Sequence, residues 1–285
     1  MSPVDITETR LDESAPVPVL RIQQVSRAFG PIQALRAVTF DIARGEIVGL
    51  VGDNGAGKST LVKILSGVLR PDSGEIYLNG QRALFDGPHD ARLNGIETVY
   101  QDLALVEAFD VASNFFLGRE LYHGGLLRPL RVARTAEMRR QSRDAVRALG
   151  LTIPGLFASP IGRMSGGQRQ AVAMARAAFW RGQLLLLDEP TAALGVRESR
   201  EVLRVIDGLA HNQGLSVLLV SHNMEHISEL CERVVVLRQG RAVAILPGPH
   251  PDPREIVGYI TGAHAAQPGL TPPTEPAGSG ETLRS

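Results

Sequence analysis

Short apolar runs alternate with stretches of helical periodicity across the middle of this chain. Strands are expected at Val19–Val25, Thr39–Ile42, Ile47–Val51, Ile76–Leu78, Ile96–Tyr100, Leu184–Leu187, Ser216–Val220 and Arg233–Leu237. Helices are expected at Lys58–Val68, Gly167–Arg181 and the amphipathic Arg197–Asn212, with a longer Arg-rich helical stretch over Asp110–Leu149. Turn signals Pro71–Gly74 and Asn79–Gly80 bracket the strand at Ile76. Several strands are apolar at every position instead of alternating. That pattern fits a parallel sheet covered by helices on both faces.

The ends read differently. Residues 1–18 contain Pro3, Pro16 and Pro18 and set four carboxylates against Arg10; residues 263–285 are rich in Pro, Gly, Thr and Ser. Both are expected to be disordered arms flanking one body over 19–262. There is no internal repeat and no heptad seam.

Composition narrows the class. With 285 residues, 44% hydrophobic and 21% charged, the chain suits a globular domain. Thirty basic and thirty acidic residues cancel, so net charge gives no reason to expect a nucleic-acid partner. The lone Cys231 excludes an internal disulfide framework and is expected to be inert. No apolar run approaches the roughly 18 residues of a membrane span. Met1–Arg10 lacks the layout of a signal peptide. Of the thirty basic residues only Lys58 and Lys63 are lysines, a bias that points to a GC-rich bacterial genome.

Lys58 stands where one mechanism needs it. Gly52-Asp53-Asn54-Gly55-Ala56-Gly57-Lys58-Ser59 follows an apolar strand and opens a helix, and it matches the P-loop pattern. Its glycines let backbone amides turn inward around a phosphate, and the helix N-terminus adds positive dipole. Lys58 can meet the terminal phosphates and the Ser59 hydroxyl can ligate Mg²⁺. Later, Leu184–Leu187 ends in Asp188 and Glu189, the place where ligands bind an open parallel sheet. Asp188 suits a Mg²⁺ shell; Glu189 suits a general base for an attacking water.

Met164-Ser165-Gly166-Gly167-Gln168 lies about twenty residues before Asp188. With this element the chain, from about Val19 to Gly262, resembles the nucleotide-binding subunit of an ATP-binding cassette (ABC) transporter. Met164 replaces the family's Leu, a volume-conserving change. The resemblance implies an α/β fold: a P-loop NTPase core with a mostly parallel sheet, an antiparallel β subdomain, and an α-helical subdomain inserted at about 102–166. It implies ATP and Mg²⁺ as ligands. Phe29 then stacks on adenine, and Gly52, Asp53, Asn54, Gly55, Ala56, Gly57, Lys58, Ser59 and Thr60 cradle the phosphates. Ser59, Gln101 and Asp188 hold the metal, Gln101, Glu189 and His222 serve hydrolysis, and Ser165, Gly166, Gly167 and Gln168 act on a second copy's ATP. One position departs from the pattern: Gly195 stands where the family usually has Asp.

Further phrases are similar to bacterial monosaccharide importers of the ribose, xylose and fructose type. They are Phe29–Leu35, Gly52–Thr60, Asn114–Glu120 and Thr191–Val196. The length resembles the single-cassette branch of that group. The implied partners are a second cassette, expected as a homodimer, membrane permease subunits and, indirectly, a periplasmic solute-binding protein. The implied place is the cytoplasmic face of the inner membrane, held peripherally. A soluble cassette ATPase acting on another macromolecule is the alternative, and an ATP-binding module without turnover is a third reading supported only by Gly195. Residues 119–147 carry eight arginines against Glu120, Glu137 and Asp144. They form either a contact for anionic headgroups or acidic loops, or a solvated helix face. Phe179 and Trp180 are expected in the core.

Overall fold

A computed structural model describes residues 16–124, 131–150, 153, 156–180, 182–192 and 194–270. Residues 1–15 and 271–285 of the expected arms, and Arg128 and Arg181, lie outside the described residues.

Two sheets organise the described residues. The first contains β1 (Leu20–Phe29), β2 (Ile32–Ile42), β4 (Ser73–Leu78) and β5 (Gln81–Ala83), antiparallel in the order β2-β1-β4-β5. The second contains β3 (Ile47–Val51), β6 (Ile96–Val99), β7 (Leu184–Asp188), β8 (Ser216–Val220), β9 (Arg233–Arg238) and β10 (Arg241–Pro247). Its order is β10-β9-β3-β8-β7-β6, parallel throughout except for the edge pair β9–β10. The helices are α1 (Lys58–Leu65), α2 (Pro88–Leu93), α3 (Val111–Phe115), α4 (Thr135–Ala148), α5 (Gly166–Phe179), α6 (Val196–His211), α7 (Met224–Leu230) and α8 (Pro253–Thr261). This is the α/β architecture expected from the sequence.

The large sheet is apolar on both faces, and its side chains alternate between two cores. Val48, Leu50, Leu184, Leu186, Leu218, Val220, Val235 and Leu237 join a cluster with α1 and the antiparallel sheet. Ile47, Val51, Leu185, Leu187, Val217, Leu219, Val234 and Val236 join a second cluster with α5, α6 and α8. The period of two is therefore present, but hydropathy hides it because both faces are dry. A third cluster, built on Phe115, Phe116, Met138, Val146 and Val172, holds α3 and α4 against α5. Phe179 and Trp180 pack there with Phe115 and Phe116, ring centroids 5.1–5.9 Å apart.

Several expected boundaries move. β2 begins at Ile32, not Thr39, because Gln24 and Ala37 adopt left-handed backbone at register shifts that interrupt its alternation. The helix after the P-loop ends at Leu65; Gly67 turns the chain with a φ of 74°. Asp110–Leu149 is not a continuous helical stretch. Gly118 turns the chain after α3 with a φ of 74°, and an isolated bridge joins Tyr122 to Ala133 before α4 begins. The expected disordered tail also starts too early, since residues 263–267 strap onto β10. The Gln267 amide donates to Val243 O at 2.8 Å, and its side-chain oxygen accepts from the Ile245 amide at 2.9 Å.

The basic stretch is largely committed within the chain. Arg139 pairs with Asp110 at 3.2 Å and Arg140 with Glu137 at 2.7 Å. The hydrogen bonds from Arg140 and Gln141 hold the Glu137 carboxyl down at about 2. Arg119, Arg131 and Arg143 lie over the rings of Trp180, Tyr122 and Phe157. These contacts favour the reading of a structural, solvated face.

One ion cluster ties the two sheets together. Arg233, first residue of β9, donates to Glu46 at 2.8 and 2.9 Å, to the Asp41 carboxylate at 2.9 Å and to the Asp41 carbonyl at 2.7 Å. Asp41 belongs to β2 and Glu46 to the turn before β3. Charge-assisted bonds of this kind, discounted for partial exposure, are worth about 2 kcal/mol together. Arg233→Ala should therefore lower Tm by about 4–8 °C and shift the urea midpoint accordingly. A change within error would show that the cluster adds nothing to the join between sheets.

Candidate functional site

The polar residues of the large sheet collect at the carboxyl ends of β3, β6, β7 and β8. β3 is wholly buried and delivers the chain into the loop 52–57. Gly52 and Gly57 have φ angles of 149° and 108°. A Cβ on Gly52 would lie 2.2 Å from Leu237 O, and one on Gly57 would lie 2.6 Å from Ala34 O. No side chain fits at either place, so the loop is pressed against β9 and β2. Gly240 braces it further by donating to Ala56 O at 3.1 Å.

The loop then opens α1 with its amides free. Among the described residues, the N–H groups of Gly55, Gly57, Lys58, Ser59 and Thr60 donate to no backbone carbonyl. With the dipole at the start of α1 they supply the donors that an anion site requires. The Lys58 ammonium is held by the carbonyls of Gly52 at 2.6 Å and Asp53 at 2.9 Å. Burial pushes its pKa down from the ordinary lysine value, against the pull of Glu189, Asp53 and Asp188. A bound phosphate would supply the negative charge this half-buried cation lacks.

Opposite stand the carboxylates at the end of β7. Burial, and then the charge of Glu189, raise the Asp188 carboxyl above the usual range, while Lys58 and Lys63 pull it back. A cation would relieve that pair. Glu189 is a non-glycine residue with a φ of 54°, a conformation that costs about 1–3 kcal/mol. Its amide donates to Val220 O at 2.9 Å, and its Oε2 lies 2.8 Å from His222 Nδ1. The strained backbone thus aims the carboxylate at the histidine that follows β8.

Between these groups lies a cavity of about 530 Å³, within the range of small-molecule sites. Of the residues singled out by sequence, Phe29, Asn54, Gly55, Gly57, Lys58, Ser59, Thr60, Gln101, Asp188, Glu189 and His222 line it. Gly52, Asp53 and Ala56 build the loop beneath. Phe29 is 43% exposed at the mouth, with the Arg27 guanidinium 5.1 Å from its ring centroid. Ile32, Gln33, Ala34, Ala192 and Val220 also line the cavity and were not singled out as site residues. The Gly30-Pro31 turn is the signal for the first three, because it folds β2 back beside Phe29.

Ser165, Gly166, Gly167 and Gln168 do not line this cavity. They begin α5 in a capping box: Ser165 Oγ accepts from the Gln168 amide at 3.3 Å, and Gln168 Oε1 accepts from the Ser165 amide at 3.0 Å. Gly166 sits against Leu194 and Gly167 against Glu198, so the start of α6 backs the start of α5. From the same helix, Arg176 donates to the carbonyls of Leu103 and Ala104 at 3.1 and 3.0 Å, fixing the loop that carries Gln101.

Known proteins resemble this chain in sequence and in fold. The ABC transporter family model matches residues 35–192. The chain is 42% identical to the fructose import ATP-binding protein of Rhizobium meliloti, over 86% of this chain and 95% of that one. It is 42% identical to the xylose/arabinose import ATP-binding protein of Sulfolobus acidocaldarius, over 79% and 86% respectively. A ribose import ATP-binding protein of Rubrobacter xylanophilus is 40% identical, but only 48% of its length is covered. Among solved structures, a nucleotide-free ATP-binding cassette from an ABC transporter superposes with a TM-score of 0.72 at 22% identity, covering 89% of this chain and 97% of that one. The ADP conformation of another such cassette gives 0.73 at 23%, covering 86% and 95%. A dimeric bacterial cassette gives 0.66 at 23%, covering 80% and 98%. With its phosphate loop, strand-end carboxylates and capped α5 in one frame, the chain belongs to the ABC transporter family.

Proposed function

We propose that this chain is the ATP-hydrolysing subunit that energises an importer for a monosaccharide or a related small solute. The observation that carries the hydrolytic part is the Glu189–His222 pair, 2.8 Å apart, facing the Lys58 cradle across one cavity. The names of the fructose, xylose/arabinose and ribose relatives support the solute class.

The chain's own groups divide the work. The free amides and Lys58 hold the phosphates, and the exposed ring of Phe29 offers a stacking face for the base. Ser59, Gln101 and Asp188 offer hydroxyl, amide and carboxylate oxygens, the donor chemistry that suits Mg²⁺. Bound there, Mg²⁺ would supply Lewis-acid stabilisation of charge on the phosphoryl oxygens. Glu189 takes the proton of the attacking water, and His222 orients that carboxylate. Ser165–Gln168 lie outside their own chain's cavity, which supports a head-to-tail pair of copies in which each capped helix end faces the other's terminal phosphate. Closure on binding and opening after hydrolysis would drive permease subunits, with a solute-binding protein upstream. Among the described residues no helix is long and apolar enough to cross a membrane. The proposed attachment is peripheral, on the cytoplasmic face, through the permease subunits.

Glu189→Gln should reduce turnover by about 10²–10⁴-fold while ATP binding and nucleotide-dependent dimerisation persist. Steady-state phosphate release and sedimentation with ATP read the two separately, and turnover like the wild type would remove Glu189 from its role. Transport itself is tested by tagging the chain in its host, solubilising membranes gently and identifying what co-purifies. A stoichiometric multi-span permease is expected. Soluble partners alone would overturn the importer and leave a cassette ATPase acting on another macromolecule.

A further inference from the structure

We infer that His226 is a positioning residue: through Thr191 and Asn223 it fixes the chain that carries Glu189 against the turn that carries His222. The inference deepens the hydrolytic reading and rests on it.

The Glu189 carboxylate is set by strained backbone, and strained backbone persists only where neighbours over-determine it. Upstream, the Glu189 amide is bound to Val220 O. Downstream, the Glu189 carbonyl accepts from the Ala192 amide at 3.1 Å, a contact local to its own turn. The cross-link from that turn to the rest of the site is Thr191. Its Oγ1 shares a hydrogen bond with His226 Nδ1 at 3.1 Å. The other ring nitrogen, Nε2, lies 3.4 Å from Asn223 Nδ2.

His226 is itself well anchored. Asn223 caps α7, its Oδ1 accepting from the amides of Glu225 at 3.0 Å and His226 at 3.2 Å. The buried Ser221 hydroxyl accepts from the Asn223 amide at 3.1 Å. His222 lies between those two residues. One imidazole therefore bridges the two loops whose relative position sets the 2.8 Å contact between Glu189 and His222. It touches neither reacting group and does not line the cavity, so its effect is on alignment and not on nucleotide contact. Misplacement of about 1 Å at a reacting group can cost as much as 100-fold in rate. Loss of one of two restraints should cost less.

The test uses the full chain with ATP and Mg²⁺. His226→Ala and Thr191→Val should each lower kcat about 5–10-fold, with KM for ATP within about twofold of the wild type. The double variant should be no slower than the worse single one, because both remove the same bond. His226→Asn, whose amide can replace Nδ1, should recover most of the rate. Multiplying losses in the double variant, unchanged kcat in His226→Ala, or a loss that follows a fall in Tm and is not recovered by His226→Asn would each overturn the inference. Absence of turnover in the wild type would instead count against the hydrolytic reading, so the two failures are distinguishable.

Discussion

A parallel sheet that is dry on both faces has few places to put a polar group. In this protein β3, β7, β8 and β9 contribute one set of side chains to a core with α1 and the opposite set to a core with α5, α6 and α8. Unlike the edge strand β6, whose Glu97 is buried in mid-strand beside Arg119, these inner strands place no ionised group in either core and turn polar where they end. The phosphate loop, Gln101, Asp188–Glu189 and His222 all leave the sheet at that edge. The convergence of these residues follows from the solvation of the sheet: groups far apart in sequence share an edge because neither face of the inner strands can receive them.

Legibility of the fold follows the same physics. β3, β7 and β8 were readable because full burial demands unbroken apolar runs between turn signals. β5 was not, since its three residues carry no buried side chain. α7 was missed because Ile227 is the only buried residue among its seven, too few to show a period. α8 carries a usable signal, with Asp252 as cap, Pro253 in the first turn and Gly262 at a left-handed C-cap. The first half of β2 was hidden by backbone bulges, which shift register without changing composition.

The site was more legible than its supports. Phosphate cradles and strand-end carboxylates need particular residue types at fixed spacing, and these can be read directly. The groups that hold them in place act through backbone or at long range. Arg233 reaches Asp41 and Glu46 across 192 and 187 residues of sequence, Arg176 holds the carbonyls of the Gln101 loop, and His226 meets Thr191 from α7. None has a spacing rule, because tertiary proximity and not local geometry creates the contact. In the Arg-rich insert, charge density alone does not separate a docking surface from a solvated face; the pairs Arg139–Asp110 and Arg140–Glu137 and the rings beneath Arg131 and Arg143, which no spacing rule reveals, favour the second.

Gly195 begins α6 without a side chain to cap it, yet its amide is met by Glu198 Oε2 at 3.2 Å, and a Cβ there would touch only that same carboxylate oxygen at 3.8 Å. Glycine at a helix start costs only a few tenths of a kcal/mol relative to aspartate. The cassette's own stability is therefore nearly indifferent to which of the two stands here. Relative to aspartate, the exposed glycine does leave the surface before α6 one negative charge poorer, next to the Glu198 carboxylate. The local surface charge, and its sensitivity to salt, can thus be retuned at this position without disturbing the fold beneath it.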